Sequence, residues 1–484
     1  MHSPPKFAYK GLTVIVSNPS RFDTQKLISG FAGELFDEAL APGMNRAQCD
    51  IRDLGVTAPL LPDTKCILLL GQTALSKYLP NKTLNEQRGS PFLYSNGLPS
   101  IASYLPQDCV DPQDYEGQLN PAARRDGEGY ETPGEDGDLK STHGKTSRSN
   151  YRFWLARDIS KAVRICKTGI QTHPRGNINI LPPERNVCQL LNETKGKHLF
   201  LDIETDCERN ITCIGFGFEL ASIHVVPLIR FNYQSAYDRR EKILQALAVA
   251  MRDNIIVCHN AMFDLWVLSD KYRIPYGRQI EDTMLMHARC FPEAEKSLGH
   301  CVSLWTDEPY HKDEGVFMPN NAEQELKLWQ YNGKDILTTM LVYHNIVTYA
   351  SKVPGLSESL TQVNSMIYPY LTISLTGMRY DEAKRLKMVE ENDRLMTQYL
   401  RCIKLLTGGL EVLPTSNKQC NYYFGELLNY PSQGRSDRTG ANQWGEKQLQ
   451  KLKLKYPLNA VIDFALAYRG AQKETGSLGF TPYK

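Results

Sequence analysis

A forty-residue stretch interrupts the first third of the chain and cannot belong to a packed core. Residues 111–150 contain six glycines, three prolines, nine acidic and five basic residues, and almost nothing apolar. Such a segment cannot bury enough apolar surface to offset the conformational entropy lost on ordering. We therefore predict a disordered insertion here, so the folded cores must come from the sequence on either side.

Length and composition limit what these cores can be. At 484 residues, a prior of about 150 residues per domain predicts roughly three domains. No apolar run approaches the roughly 20 residues of a membrane helix, and the N-terminus lacks the layout of a secretion signal. We expect a cytoplasmic protein without a membrane partner. Twelve scattered cysteines without zinc spacing predict reduced thiols, with neither disulfides nor structural zinc.

Net charge does not by itself indicate a polyanionic partner, because it is only +2. Its distribution is more informative. Residues 401–484 hold 12 basic and 6 acidic side chains. A basic C-terminal segment suits a phosphate backbone, although solvated helix faces would give the same composition.

Apolar, β-branched runs predict strands in two regions. TVIVS (13–17) and CILLLG (66–71) are typical of buried strands in an α/β layer. HLFLDIE (198–204) and ITCIGFGFE (211–219) predict strand, turn and strand at the start of a second domain. The prolines and glycine of residues 173–186 predict an extended linker before it, because they disfavour regular structure.

Acidic side chains recur at three places in this second domain. Asp202 and Glu204 are two apart on a strand, so they share one face, and paired carboxylates without His or Cys favour Mg²⁺ or Mn²⁺. Asp264 lies in a predicted helix four residues after Asn260, on the same face, and Asp335 follows. Solvated acids at a strand end would give the first pair equally well.

Two aromatic residues accompany the acids. Tyr331 and Asp335 are i and i+4 on one helical face, although ordinary helix filling explains a single tyrosine as well. Phe263, with Trp266 and Val267, is predicted to face the core of its helix.

Together the order D-x-E, N-x-x-x-D and Y-x-x-x-D resembles the three exonuclease motifs of DnaQ-like proofreading nucleases, in their tyrosine variant. EDTMLMHARC (281–290) and SLGHCVSLW (297–305) also resemble the proofreading domain of family A DNA polymerases. The resemblance covers about residues 195–350 and implies an RNase-H-like domain with a mixed sheet.

The resemblance implies two-metal hydrolysis of DNA from the 3′ end. Asp202 would bridge two Mg²⁺ or Mn²⁺ ions, Glu204 and Asp335 would complete one site, and Asp264 would hold the other directly or through water. Tyr331 would orient the attacking water. Asn260 could brace the strand end or the terminal nucleotide. Phe263 could contact a base or sugar, unless it is simply core.

The C-terminal sequence resembles the thumb of the same polymerases, more loosely. MIYPYLTISLTGMRYDEA (366–383) is similar to the segment that leads into the thumb, with Asp381 as a helix cap. Lys418, Arg469 and Lys473 are candidate DNA-backbone contacts, or else solvated helix residues. The sequence ends at Lys484, where the family would begin its palm and fingers, so we expect a separate chain to supply them, or a truncated product.

The N-terminal sequence resembles family 4 uracil-DNA glycosylases over residues 67–108. Leu105 stands where that family has its catalytic histidine, and VSNPSRFD (16–23) stands where it has a glycine-rich motif with an acid. A domain with these replacements lacks the general acid and the activated water that base excision requires. We expect a non-catalytic module that binds DNA, a base or a partner, or a purely architectural one.

These observations predict a glycosylase-like α/β domain at 1–172, a linker at 173–196, an exonuclease domain at 197–350 and a helical thumb-like region at 351–484. The favoured function is the proofreading part of a family A DNA polymerase, acting on single-stranded or primer-template DNA and encoded by a bacteriophage. A free-standing 3′-to-5′ exoribonuclease and a catalytically silent DNA-binding module are the alternatives.

Overall fold

The computed structural model describes residues 8–16, 30–40, 43–56, 59–95, 97–109, 148–171, 177–277, 279–377, 379, 381–432, 434 and 442–478. The chain divides into two compact units, Met1–Thr376 and Gly377–Lys484. Of the predicted insertion, residues 111–147 lie outside the described residues, as do residues 17–23 of the predicted glycosylase-like motif. The end of the predicted insertion is wrong, because residues 148–150 begin a helix that continues to Thr168.

A five-stranded sheet forms the first layer of the larger unit. Its strands are β1 (Leu12–Val16), β2 (Asp50–Asp53), β3 (Cys66–Leu70), β4 (Phe92–Leu93) and β5 (Pro99–Ser103), in the order β2-β1-β3-β5-β4. All neighbours are parallel except β4, which is antiparallel to β5. Helices α1 (Gly30–Leu40), α2 (Gln72–Tyr78), α3 (Leu84–Gln87) and α4 (Arg148–Thr168) accompany it. The continuous apolar run of β3 is fully buried, as expected of a central parallel strand.

A six-stranded mixed sheet forms the second layer of this unit. Its strands are β6 (Ile178–Ile180), β7 (His198–Thr205), β8 (Ile211–Glu219), β9 (Ser222–Pro227), β10 (Ile255–Cys258) and β11 (Ile280–Asp282), in the order β11-β10-β7-β8-β9-β6. Strands β7, β8 and β9 form an antiparallel meander, whereas β10 is parallel to β7 and β11 is parallel to β10. The predicted strands at 198–204 and 211–219 are therefore confirmed.

Eight helices complete the described part of this unit: α5 (Glu184–Glu193), α6 (Arg240–Asp253), α7 (Ala261–Tyr272), α8 (Thr283–Cys290), α9 (Leu298–Trp305), α10 (Ala322–Ala350), α11 (Leu356–Ser365) and α12 (Ile367–Thr376). The longest, α10, packs against strands β6 to β9. Gly333 permits this, because a Cβ there would lie 2.5 Å from Cγ2 of Ile178 on β6.

The smaller unit is helical. It contains α13 (Glu382–Leu406), α14 (Asn417–Cys420), a π-helical turn (Asn421–Leu427), α15 (Glu446–Lys455) and α16 (Ala460–Leu478). Trp444 is fully buried and stacks on Phe424 with 5.6 Å between ring centroids. The predicted class, α/β with a mixed sheet followed by a helical region, is confirmed.

Two predicted boundaries differ from the structure. Residues 173–196 are not a plain linker, because β6 pairs with β9 and α5 packs on α6; the prolines at 182 and 183 precede α5, where a missing N–H is tolerated. Residues 351–376, predicted as the start of the thumb, belong to the first unit. No helix in the described ranges is both long and apolar enough to cross a membrane.

Candidate active site

The site begins at the end of β7, where Asp202 and Glu204 alternate with the buried Ile203. Antiparallel pairing sets Asp202 opposite Gly215 of β8. A Cβ at Gly215 would lie 2.4 Å from Oδ1 of Asn332, so the glycine lets α10 approach the strand. Asn332 then donates a hydrogen bond from Nδ2 to Oδ2 of Asp202, at 2.7 Å. The sequence pattern did not single out Asn332.

Helix α10 brings a third carboxylate to this pair. One oxygen each of Asp202, Glu204 and Asp335 can be chosen so that all three lie within 4.8 Å of one another. Two of the residues come from β7 and one from α10, 131 positions after the second. Because these residues are so far apart in the chain, only the tertiary fold can bring them together. An oxygen-only set of this kind suits Mg²⁺ or Mn²⁺, which prefer hard ligands.

Burial and mutual repulsion shape the electrostatics of the pair on β7. Burial, with the charges of Asp202 and Asp335, raises the pKa of Glu204 to about 9. Burial and the Asp335 charge raise the pKa of Asp202 to about 7, against the lowering effect of Lys312 and Asn332. The carboxylates therefore need more positive charge than the protein provides. A divalent cation would supply it, so the residues fit the implied metal.

Asp335 differs from the other two because two basic residues, Lys312 and His311, already contact its carboxylate. Lys312 Nζ donates to both carboxylate oxygens, at 2.7 and 3.0 Å, and His311 Nε2 lies 2.8 Å from Oδ1. Burial would raise the pKa of Asp335, but the His311 hydrogen bond and the Lys312 charge lower it below its ordinary value. Neither residue was among the predicted site residues. The signal that could have found them is the basic pair in EPYHKDEG, between the second and third motifs.

Asp264 adjoins the three-carboxylate group without belonging to it. It is 3% exposed on α7, and its Oδ1 accepts a hydrogen bond from the backbone N–H of Ile203, at 3.0 Å. Burial and the Asp202 charge raise its pKa well above the ordinary value. Asp264 thus fixes the strand between Asp202 and Glu204. In the described residues its oxygens are not among those of the tight cluster.

The start of α7 is itself held by a buried acid. Asp282 accepts hydrogen bonds from the backbone N–H groups of Asn260 and Ala261, at 3.0 and 2.9 Å. Asn260 has a left-handed backbone conformation, with φ of 72°, and precedes the helix. The prediction that Asn260 shares a helical face with Asp264 is therefore wrong, because Asn260 lies outside the helix.

Phe263 and Tyr331 have opposite environments. The Phe263 side chain is 43% exposed, so the prediction that it faces the core is wrong. Tyr331 is 4% exposed and packs edge-on against Phe317, with 5.5 Å between ring centroids. Lys312 Nζ lies 4.4 Å from the centroid of the Tyr331 ring. Burial, followed by the neighbouring carboxylates, raises the pKa of Tyr331.

The predicted DNA contacts of the smaller unit also differ among themselves. Lys418 and Lys473 are exposed. The Arg469 guanidinium instead donates to the backbone carbonyls of Pro414 and Trp444, which ties α16 to its own unit. Contacts of Arg469 with DNA would therefore compete with these hydrogen bonds inside the smaller unit.

Comparison with known proteins adds a family for part of the chain. Residues 183–349 match the family model described as 3′-5′ exonuclease, of the DNA polymerase A type. This stretch, about a third of the chain, is therefore similar to that exonuclease domain family. The sequence matches none of the curated proteins.

Two solved structures show distant similarity. One is described as the POL domain of Pol1 from M. smegmatis in complex with DNA primer-template and dNTP; it is 12% identical, with a TM-score of 0.46, and the match covers 62% of this chain and 49% of that one. The other, described as the apo form of the nuclease, is 12% identical with a TM-score of 0.33, covering 42% of this chain and 97% of that one. This chain thus spans about half of the length of the polymerase chain, and at these TM-scores neither likeness defines a shared fold.

Proposed function

We propose that the chain hydrolyses DNA from its 3′ end, as the proofreading exonuclease of a family A DNA polymerase. The observation that supports this most is the convergence of Asp202, Glu204 and Asp335 within 4.8 Å. All three lie in the stretch that matches the exonuclease family, residues 183–349.

Four acids would hold two Mg²⁺ or Mn²⁺ ions. Asp202 would bridge both ions, Glu204 and Asp335 would complete one site, and Asp264 would hold the other directly or through water. The bound ions would stabilise the charge on the attacking and leaving oxygens of the phosphodiester. The raised pKa values of Asp202 and Glu204 support this proposal, because each carboxylate is short of positive charge.

Other side chains would orient the reactants. The Tyr331 hydroxyl, on the same helical face as Asp335, would hold the attacking water in line with the phosphate. Lys312 and His311 keep Asp335 ionised and fixed. The exposed ring of Phe263 suits a contact with the terminal base or sugar.

The rest of the chain would serve the same substrate. We propose that the helical unit acts as a thumb-like region on primer-template DNA, with Lys418 and Lys473 near the phosphates. A separate chain would supply the polymerase palm and fingers, in a bacteriophage replication system. The N-terminal module would bind DNA, a base or a partner without catalysing base excision.

A nuclease assay tests the central proposal. The purified chain, with Mg²⁺ or Mn²⁺, is incubated with 5′-labelled single-stranded DNA, RNA and mismatched primer-template. We expect shortening of DNA from the 3′ end, and Asp202→Ala should reduce it by at least about 10³-fold, because a ligand of both ions is lost.

Glu219→Gln is the matched control. Glu219 is an exposed acid at the C-terminal end of β8, away from the β8 residues that pair with Asp202 and Glu204. It should retain full activity. Equal activity of Asp202→Ala and the unmodified chain would overturn the assignment. Preference for RNA would favour the exoribonuclease alternative, and DNA binding without any cleavage would favour a silent module.

A further inference from the structure

The last residues of α9 and the loop that follows them join the exonuclease site to the rest of the larger unit. We define the linking segment as residues 303–313, and the N-terminal module as the described part of residues 8–171. The linking segment carries His311 and Lys312, which both contact Asp335. Thr306, Asp307 and His311 are each less than 9% exposed, so these parts of the segment are packed in the interior.

Helix α4 of the N-terminal module holds the start of this segment. Lys161 Nζ donates to the carbonyl of Thr306, at 2.7 Å, and to the carbonyl of Ser303. The same ammonium also donates to the carbonyl of Gly89, at 2.8 Å, inside the module. One partly buried lysine therefore bridges the module and the segment.

Two arginines add to this attachment. Arg164 of α4 forms an ion pair with Asp307, and the second oxygen of Asp307 accepts a hydrogen bond from the backbone N–H of Gln171, at 2.8 Å. Arg88 donates to Oγ of Ser303, at 3.1 Å, while the buried Asp158 fixes its guanidinium at 3.0 Å. These contacts are charge-assisted, and the side chains of Arg88, Ser303 and Asp307 in them are buried, so they are costly to break.

A separate contact holds the other end of the segment. Lys82, between α2 and α3, forms an ion pair with Asp313, the neighbour of Lys312. Its Nζ also lies 5.3 Å from the centroid of the Tyr310 ring. The module thus contacts the segment both before and after His311 and Lys312, the two residues that contact Asp335.

We infer that the N-terminal module positions His311 and Lys312 on Asp335, and so sets the geometry of the exonuclease site. Lys161, Arg164 and Lys82 are positioning residues in this scheme, since they act through the linking segment. The inference rests on the proposed nuclease function. It assigns the module a role in the exonuclease reaction that is independent of any ligand of its own.

Three variants test the inference: Arg164→Met, Lys82→Met and the conservative Arg164→Lys. Hydrogen exchange of the amides of residues 303–313 and steady-state cleavage of single-stranded DNA are measured for each. For the two methionine variants we expect at least fivefold faster exchange in the segment. Their kcat should fall about tenfold with KM changed less than about twofold, because misplaced catalytic groups slow the reaction more than they weaken binding. Arg164→Lys should restore most of kcat.

Lys167→Met is the matched control, because Lys167 lies one turn further along α4 beside Gly43 of the module. Unchanged exchange in the segment, or an equal loss of kcat in Lys167→Met, would overturn the inference. Lys82→Met guards against misfolding of the α4 variants, since its side chain is partly exposed. If the unmodified chain cleaves no DNA, the proposed function fails, whereas the exchange data still decide whether the module holds the segment.

Discussion

At the scale of single residues, Glu204 and Asp202 are carboxyl groups whose ionised forms the fold alone does not compensate. The pKa of Glu204 is raised to about 9 and that of Asp202 to about 7, in both cases mainly by burial. Near pH 8 the metal-free protein therefore keeps a proton on Glu204. Divalent ions must displace that proton, so their affinity should rise with pH up to about 9.

The same shift predicts a pH-dependent gain of stability in Glu204→Gln. An acid with a raised folded pKa binds more protons when folded, so its contribution to stability falls as pH rises from about 4.5 to about 9. Glutamine does not ionise, so Glu204→Gln does not lose stability in this way as pH rises. In EDTA at pH 8 we expect Glu204→Gln to be roughly 1–3 kcal/mol more stable than the unmodified chain, measured by denaturant unfolding.

At pH 4.5 this difference should vanish, and excess Mg²⁺ should reverse it at pH 8, because the variant has lost a metal ligand. Glu219→Gln, an exposed control, should change stability by less than about 0.5 kcal/mol. Identical stability of Glu204→Gln and the unmodified chain at pH 8 in EDTA would contradict the argument.

At the scale of elements, α10 organises the site because one helix carries Tyr331, Asn332 and Asp335 past the end of β7. Its close approach depends on two small residues, Gly215 on the strand and Gly333 on the helix. A glycine inside a helix lowers its intrinsic stability by roughly 1 kcal/mol relative to alanine. The packing against β6 explains why Gly333 is suited to this position.

Gly333→Ala should therefore destabilise the larger unit, despite the better helix propensity of alanine. The new Cβ would lie 2.5 Å from Cγ2 of Ile178 and 3.2 Å from Cγ2 of Val225. Both are β-branched side chains with little freedom to move, so we expect a loss of about 1–3 kcal/mol. Thermal unfolding followed by circular dichroism measures it.

Gly470→Ala provides the control, because Gly470 is inside α16 and a Cβ there would meet nothing within 4 Å. It should stabilise its helix by up to about 1 kcal/mol. A stabilising Gly333→Ala would show that the helix and β6 are less tightly packed than described.

The start of a helix could be predicted from the sequence where the capping side chain lies close in the chain to the backbone N–H that it caps. Asp381 caps α13 by accepting a hydrogen bond from the backbone N–H of Lys384, at 3.0 Å, as the sequence predicted. Strand β6 was not predictable in this way. Its three residues gain a partner only from β9, more than 40 positions later, so prolines nearby made the stretch resemble a linker.

At the scale of the whole molecule, the contacts named for the nuclease site all lie within Met1–Thr376. We expect residues 1–376, expressed alone, to degrade short single-stranded DNA with kcat within about threefold of the full chain, since compact units tend to fold independently. Primer-template binding should weaken and lose part of its salt dependence, because exposed lysines of the smaller unit are removed. Loss of all cleavage in a folded fragment would place part of the site in the smaller unit.

The sequence alone determined the acids, their order and the elements that carry them. Period-two alternation places Asp202 and Glu204 on one face of a strand, and helical spacing places Tyr331 and Asp335 on one face of a helix; both are local rules. The motif order then indicated the exonuclease family before any contact was known.

Only the tertiary structure decided which groups surround those acids. The attachment of His311 and Lys312 to Asp335, the exposure of Phe263, the use of Arg469 within its own unit and the grip of the N-terminal module all depend on long-range packing. Each joins residues far apart in the chain or depends on what covers a side chain. Local periodicity carries no information on either, because it reports only neighbours along the backbone.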